Sequence, residues 1–163
     1  MENPRVLAQE CKDRFQEYKD KDPILVKVYE ILDVIQGQKF GDWSVEELSR
    51  MAGEISMLMV NLGDLLHWET MNASNIETYR KEQFLTELLK LKKEGGTVAE
   101  AEARAELVIS KIKQEEIEAQ YIADMLKTLY RGLDRIVSVI QSRMKSYDIE
   151  KCNTNLSDNV TNE

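Results

Sequence analysis

Little in this sequence breaks a helix: among 163 residues there are 2 prolines and 7 glycines. Those two residue types are the strongest local punctuation a chain has. Their scarcity excludes a sheet stitched together by tight turns, and the abundance of Glu, Lys, Leu, Ile and Met favours an all-α fold. One histidine, His67, and two cysteines, Cys11 and Cys152, leave no Ser-His-Asp or Cys-His pairing and no paired ligands for zinc. The cysteines stand alone near opposite ends of the chain, the pattern of reduced cytosolic thiols and not of a disulfide framework. No apolar run approaches the roughly 20 residues that cross a bilayer, and the opening MENPRVLAQECKDRF holds no uninterrupted apolar stretch of a secretory signal. The expectation is a soluble cytoplasmic chain with no membrane partner. Phosphate-cradling loops and dinucleotide fingerprints are missing as well, so no cofactor, metal or catalytic residue is expected.

What the chain does have is helix signals. Pro4 to Lys19 carries an imperfect apolar stripe of Val6, Cys11, Phe15 and Tyr18, which predicts a first helix. Asp22 then reads as an N-cap with Pro23 at the first helical position and Gly37 as the stop, which predicts a second. Gln38 to Trp43 is a connector. Ser44 and Glu47 form a capping box, and so do Thr97 and Glu100, in which each side chain satisfies the other residue's orphan amide. Between these two starts a charged helical run halts at Gly95 and Gly96 and resumes at once.

The segments on either side of that stop repeat apolar residues in alternating steps of three and four. Before it the register includes Leu48, Ala52, Ile55, Met59, Leu62, Leu66, Glu69, Ala73 and Ile76. After it come Ala101, Ala105, Val108, Ile112, Glu115, Ala119, Ile122, Leu126, Leu129, Leu133, Ile136 and Ile140. Heptads of this kind keep a stripe on a partner helix along the whole length. The reading is a long, coiled-coil-like antiparallel helical hairpin over residues 44–150. It turns at Gly95 and Gly96, has arms on the order of 70 Å, follows two short helices in residues 1–43, and precedes a disordered polar tail at 151–163. Folding back at the glycines brings Leu66 toward Met125 and Leu48 toward Arg143. Glu69 and Glu115 occupy seam positions where leucine belongs, as register-setting polar residues do, and Arg80 comes within about one turn of Glu115. Met51, Leu58, Leu65, Val137 and Val139 widen the apolar surface beyond what two helices cover, so the short helices or further subunits must cover the rest. His67 and Trp68 read as a packed or half-buried patch.

Charge is uneven. The formal net charge is -8, with 8 basic and 15 acidic residues in 1–79 but 14 and 15 in 80–163. Arg80, Lys81, Lys90, Lys92 and Lys93 crowd the approach to the glycines; taken alone they read as solvated helix faces. The segment VEELSRMAGEISMLMVNLGDLLHWE superficially resembles the magnesium-binding E-E-x-x-E and E-x-x-D motifs of all-helical nucleotide pyrophosphohydrolases of the MazG type. Arg50 stands where the third acid belongs and Asn61 precedes Asp64 in place of glutamate. Two ligands are missing from a site that depends on clustered oxygens.

Three pieces in order, YRKEQFLTELLKLKKEGG, TVAEAEARAELV and LKTLYRGLDRIVSVIQSRMKSYDI, resemble the UvsY family of phage recombination mediators over about residues 76–150. The resemblance implies a non-catalytic protein, in the host cytoplasm if viral, that forms homo-oligomers, binds single-stranded DNA and helps load a strand-exchange recombinase where single-strand-binding protein had been. It implies that Lys90 and Lys92 match the family's basic pair before the break, with Arg80, Lys81 and Lys93 on the same arm as further nucleic-acid contacts. Arg143 matches the arginine of the closing I-x-S-R pattern, where it pairs with acids or marks an oligomer contact. Tyr79 and Phe84 are candidates for base stacking, although each suits a helical seam better. A helical scaffold, adaptor or inhibitor that binds only protein uses the same heptads and treats the lysines as solubilising.

Overall fold

In the computed structural model, the described residues are 4–37, 42–95 and 97–160, with side chains described from 6 to 150. All regular structure among them is α-helical: α1 Pro4–Lys21, α2 Pro23–Gly37, α3 Val45–Lys93, α4 Val98–Val108 and α5 Ser110–Val160. Most of the connector at 38–41, Gly96 and the last three residues lie outside that range.

The helix starts follow the caps read from sequence. Asp22 Oδ1 accepts from the amides of Ile24 at 2.8 Å and Leu25 at 3.1 Å, so one carboxylate satisfies two orphan donors of α2. Ser44 donates its amide to Glu47 at 2.8 Å and accepts from the Glu47 amide at 3.2 Å. Thr97 and Glu100 reproduce the box at 3.0 and 3.3 Å. Acids fill the first turn of α3 and lysines its last, each complementing the helix dipole. Beyond Lys93 the chain reaches Gly95 with φ +85°, the left-handed conformation in which glycine closes a helix.

Two departures mark the second half. Continuous helix is expected from Thr97 onward, but Ile109 interrupts it with φ -86°, ψ 0°. The ladder nevertheless carries on through Ile109 to Ala105 at 3.1 Å and Lys113 to Ile109 at 3.0 Å. The seam steps from Ala105 to Ile109, which is fully buried, while Val108, the seam residue by spacing, is 59% exposed. The other departure is at the end, where α5 keeps a helical backbone to Val160, past the 150 boundary and into the stretch read as tail. No proline or glycine stands there to stop it.

The chain forms two compact units. One joins residues up to Tyr18 with Asp64–Lys127, and the other joins Lys19–Gly63 with the chain from Thr128 onward. The short N-terminal helices therefore do not stand as a region of their own. Nearly all of α1 packs within the first unit and α2 within the second.

In the first unit the core is mostly small: Ala73, Ala101, Ala105, Ala119 and Ala123, with Ile109 and Leu126. α1 adds bulk there. Its Phe15 meets Tyr121 edge-on with ring centroids 6.4 Å apart, a favoured aromatic geometry. Around that contact Arg14 pairs with Glu118 at 3.2 Å and Tyr18 donates to Glu69 at 2.9 Å. In the second unit large aliphatics dominate: Leu25 and Val28 of α2, Leu48, Ile55 and Leu62 of α3, and Leu133 and Ile140 of α5. Tyr130 lies 3.6 Å from where a Cβ on Gly63 would stand, and Tyr147 donates to the Trp43 carbonyl at 3.3 Å.

The heptads are visible in burial. Leu48, Ile55, Leu62 and Glu69 recur every seventh residue of α3, and Ala119, Leu126, Leu133 and Ile140 do so on α5; all eight are buried. The alternate seam residues Leu66, Ile76, Ile122, Leu129 and Ile136 are half-buried. Of the residues widening the seams, Met51 is buried, Leu58, Leu65 and Val137 are half-buried, and Val139 stays exposed.

Candidate functional site

Glu69 and Glu115 meet different fates. Glu69 takes a buried heptad position of α3, is 9% exposed, and receives the Tyr18 hydroxyl from α1 and the Asn72 amide at 3.4 Å. A buried carboxylate is costly unless hydrogen-bonded, so this contact fixes where α1 sits against α3. Glu115 is exposed. The acid that meets Arg80 is the next residue, Glu116.

That ion pair changes the standing of Arg80. Its Nε donates to Glu116 and the side chain is largely covered. The groove beside it, about 510 Å³, is lined by Glu77, Glu116 and Asp124 as well as Lys113 and Tyr121. Three carboxylates around two cations repel a phosphate. Lys81 pairs with Glu77 and Lys90 with Glu87, each at 2.5 Å, and the Lys81 hydrogen bond holds the Glu77 carboxyl below its ordinary range. Lys92 and Lys93 are exposed.

At about 100° per residue the five cations do not share one face. Lys81 and Lys92 align three turns apart, Lys90 and Lys93 are neighbours one turn apart, and Arg80 points elsewhere. What the fold brings together is a basic end of α3 made of Lys90, Lys92 and Lys93. Nearby, Thr97 holds the Glu100 carboxyl below its ordinary range through its amide and then its hydroxyl.

Arg143 is half-buried on α5 with its guanidinium carbon 4.7 Å over the Tyr147 ring, and its buried Nε has no hydrogen-bond partner. The expected pairing with acids is replaced by a cation–π stack. On the MazG-like segment, Glu47 is engaged in its capping box, and the Ser44 amide, then its hydroxyl, holds its carboxyl below the ordinary range. Among the described residues no group of three His, Cys, Asp or Glu side chains is placed to hold a metal. Burial, with Glu118 and Glu10 adding to it, pushes the Cys11 thiol up, away from the reactive thiolate.

Sequence reasoning missed an exposed apolar patch. His67 and Trp68 are not packed: both are exposed, Trp68 at 70%. Tyr79, which suited a seam better, is 52% exposed, as Met71, Leu85 and Leu89 also are in large part. Phe84 is half-buried. A second apolar set at heptad spacing, offset from the first, was the available signal. No helix among the described residues is long and apolar enough to cross a membrane. Comparison with protein-family models, curated proteins and solved structures finds no match to this chain.

Proposed function

We propose that this protein is a non-catalytic recombination mediator of the UvsY-like kind. In this reading α3 doubles back on α4 and α5 as a coiled-coil-like antiparallel hairpin. Copies of the chain assemble, and the assembly binds single-stranded DNA and helps a strand-exchange recombinase displace single-strand-binding protein in the cytoplasm, that of the host if the protein is phage-borne. The observation that carries it is the exposed basic end of α3, where Lys90, Lys92 and Lys93 gather within one turn. Phosphate contact needs local positive potential, which an acidic chain supplies where its lysines cluster. Three lysines make a weak site. An assembly that sets several such ends along one strand gains from effective concentration.

The test is fluorescence anisotropy of a short single-stranded oligonucleotide over a salt series. Binding is expected to weaken with salt. Reversing Lys90, Lys92 and Lys93 to glutamate is expected to weaken it strongly, with the salt slope lowered by about 2 if each lysine contacts one phosphate. No salt-sensitive binding at micromolar protein overturns the proposal.

A second reading, a scaffold, adaptor or inhibitor that binds only protein, is favoured by the pairing of Arg80, Lys81 and Lys90 with acids of the same chain. Under it the chain leaves the oligonucleotide free at every salt concentration.

A further inference from the structure

The outer face of α3 between Asp64 and Lys93 carries an apolar row that nothing in its unit covers. Trp68, Met71, Tyr79, Leu85 and Leu89 are 70, 49, 52, 56 and 59% exposed, and at about 100° per residue they fall within an arc of roughly 120°. Their order along the helix is nearly palindromic. Trp68 and Leu89 stand three heptads apart, centred between Thr78 and Tyr79, and Met71 and Leu85 stand two heptads apart, centred on Thr78. The polar residues of the row share that centre. Asp64 lies as far before it as Lys92 and Lys93 lie after it, and Asn75 mirrors Glu82.

We propose that two copies of this chain pair antiparallel along this face, about a twofold axis beside Thr78 and Tyr79. The inference rests on the self-assembly in the proposed function and names the surface that performs it. An isologous interface requires a self-complementary patch, and this one is self-complementary in one direction only. Antiparallel pairing sets Trp68 against Leu89, Met71 against Leu85, Asp64 against Lys92 and Lys93, and the Asn75 amide against the Glu82 carboxylate. Parallel pairing stacks Asp64, Glu82 and the lysines each on its own copy, three like-charge contacts that exclude it. Ten large side chains presenting on the order of 100 Å² each cover about 1,000 Å², at the lower edge for a specific interface. The dimer is therefore expected to be concentration-dependent, with dissociation in the micromolar range.

The experiment uses the full chain with Cys152→Ser, Cys11 being buried, and adds Thr78→Cys or Trp68→Cys. Under mild oxidation without DNA, Thr78→Cys is expected to cross-link into a dimer. Trp68→Cys is not, because its twin lies about 30 Å away across the axis. Sedimentation of Asp64→Lys should show at least about tenfold weaker association, and adding Lys92→Asp and Lys93→Asp should restore it. Circular dichroism establishes that each variant keeps its helix content. Failure of Thr78→Cys to cross-link, or equal cross-linking of Trp68→Cys, overturns the pairing. An oligomer that survives with no cross-link at position 78 refutes this surface and leaves the mediator reading standing. A cross-linked dimer that binds no oligonucleotide does the reverse.

Discussion

Tyr18→Phe is the sharpest single probe of how α1 is held. It removes the hydroxyl that meets Glu69 at 2.9 Å and leaves a carboxylate 9% exposed at a buried heptad position of α3, with the longer Asn72 contact beside it. Hydrogen bonds to charged groups contribute about 1.5–3 kcal/mol net. Because Tyr18 is itself half-buried, the lower end applies, about 1.5 kcal/mol, or roughly 4 °C in Tm for a chain of this length. Glu69→Leu acts differently, removing the buried polar group and completing the row of Leu48, Ile55 and Leu62. The double variant, with both partners apolar, is expected to match or exceed the parent, since the penalty lies in leaving one buried partner unsatisfied. Urea unfolding followed by circular dichroism supplies the double-mutant cycle. If Tyr18→Phe stays within about 0.3 kcal/mol of the parent and the cycle shows no coupling, the contact does not position α1 and the argument is wrong.

Further outcomes follow from the same physics. Leu126→Ala, at a fully buried heptad site, is expected to destabilise by about 2–5 kcal/mol in the same urea assay. Gly95→Ala places a side chain at φ +85° and should cost about 1–2 kcal/mol with no steric clash to relieve. Thr97→Ala removes a cap and should cost about 1 kcal/mol, seen as reduced helix content on heating. Glu47 and Glu100 have carboxyls held below their ordinary range. Their contribution is therefore complete above that range and is lost as pH falls through the lowered folded values. Thermal melts between pH 6 and pH 3 should show that loss, and Glu47→Gln with Glu100→Gln should flatten it.

The helix starts were legible because a cap is a local event: Asp22, Ser44 and Thr97 each satisfy amides within three residues. The heptads were legible too, because period is a property of one helix. What the sequence concealed was which helix takes which partner. Tyr18 and Glu69 meet across a separation of 51 residues, and nothing in either neighbourhood announces it. Arg80 chooses Glu116 over Glu115, although both lie within reach of a long side chain. The basic cluster was legible as a count but not as a surface, since helical rotation scatters its members and nearby acids pair with three of them. Trp68 and Tyr79 were misjudged because a large aromatic on a helix is usually buried, and here both stay exposed.

The central claim is that this chain works in company, with lysine ends gathered on one strand of DNA. Light scattering of the full chain across a concentration series, alone and with a short single-stranded oligonucleotide at low and high salt, tests it directly. The account predicts masses above a single chain that rise with concentration, and a DNA-bound assembly at low salt that releases its DNA at high salt. A single-chain mass throughout, with the oligonucleotide always free, contradicts it.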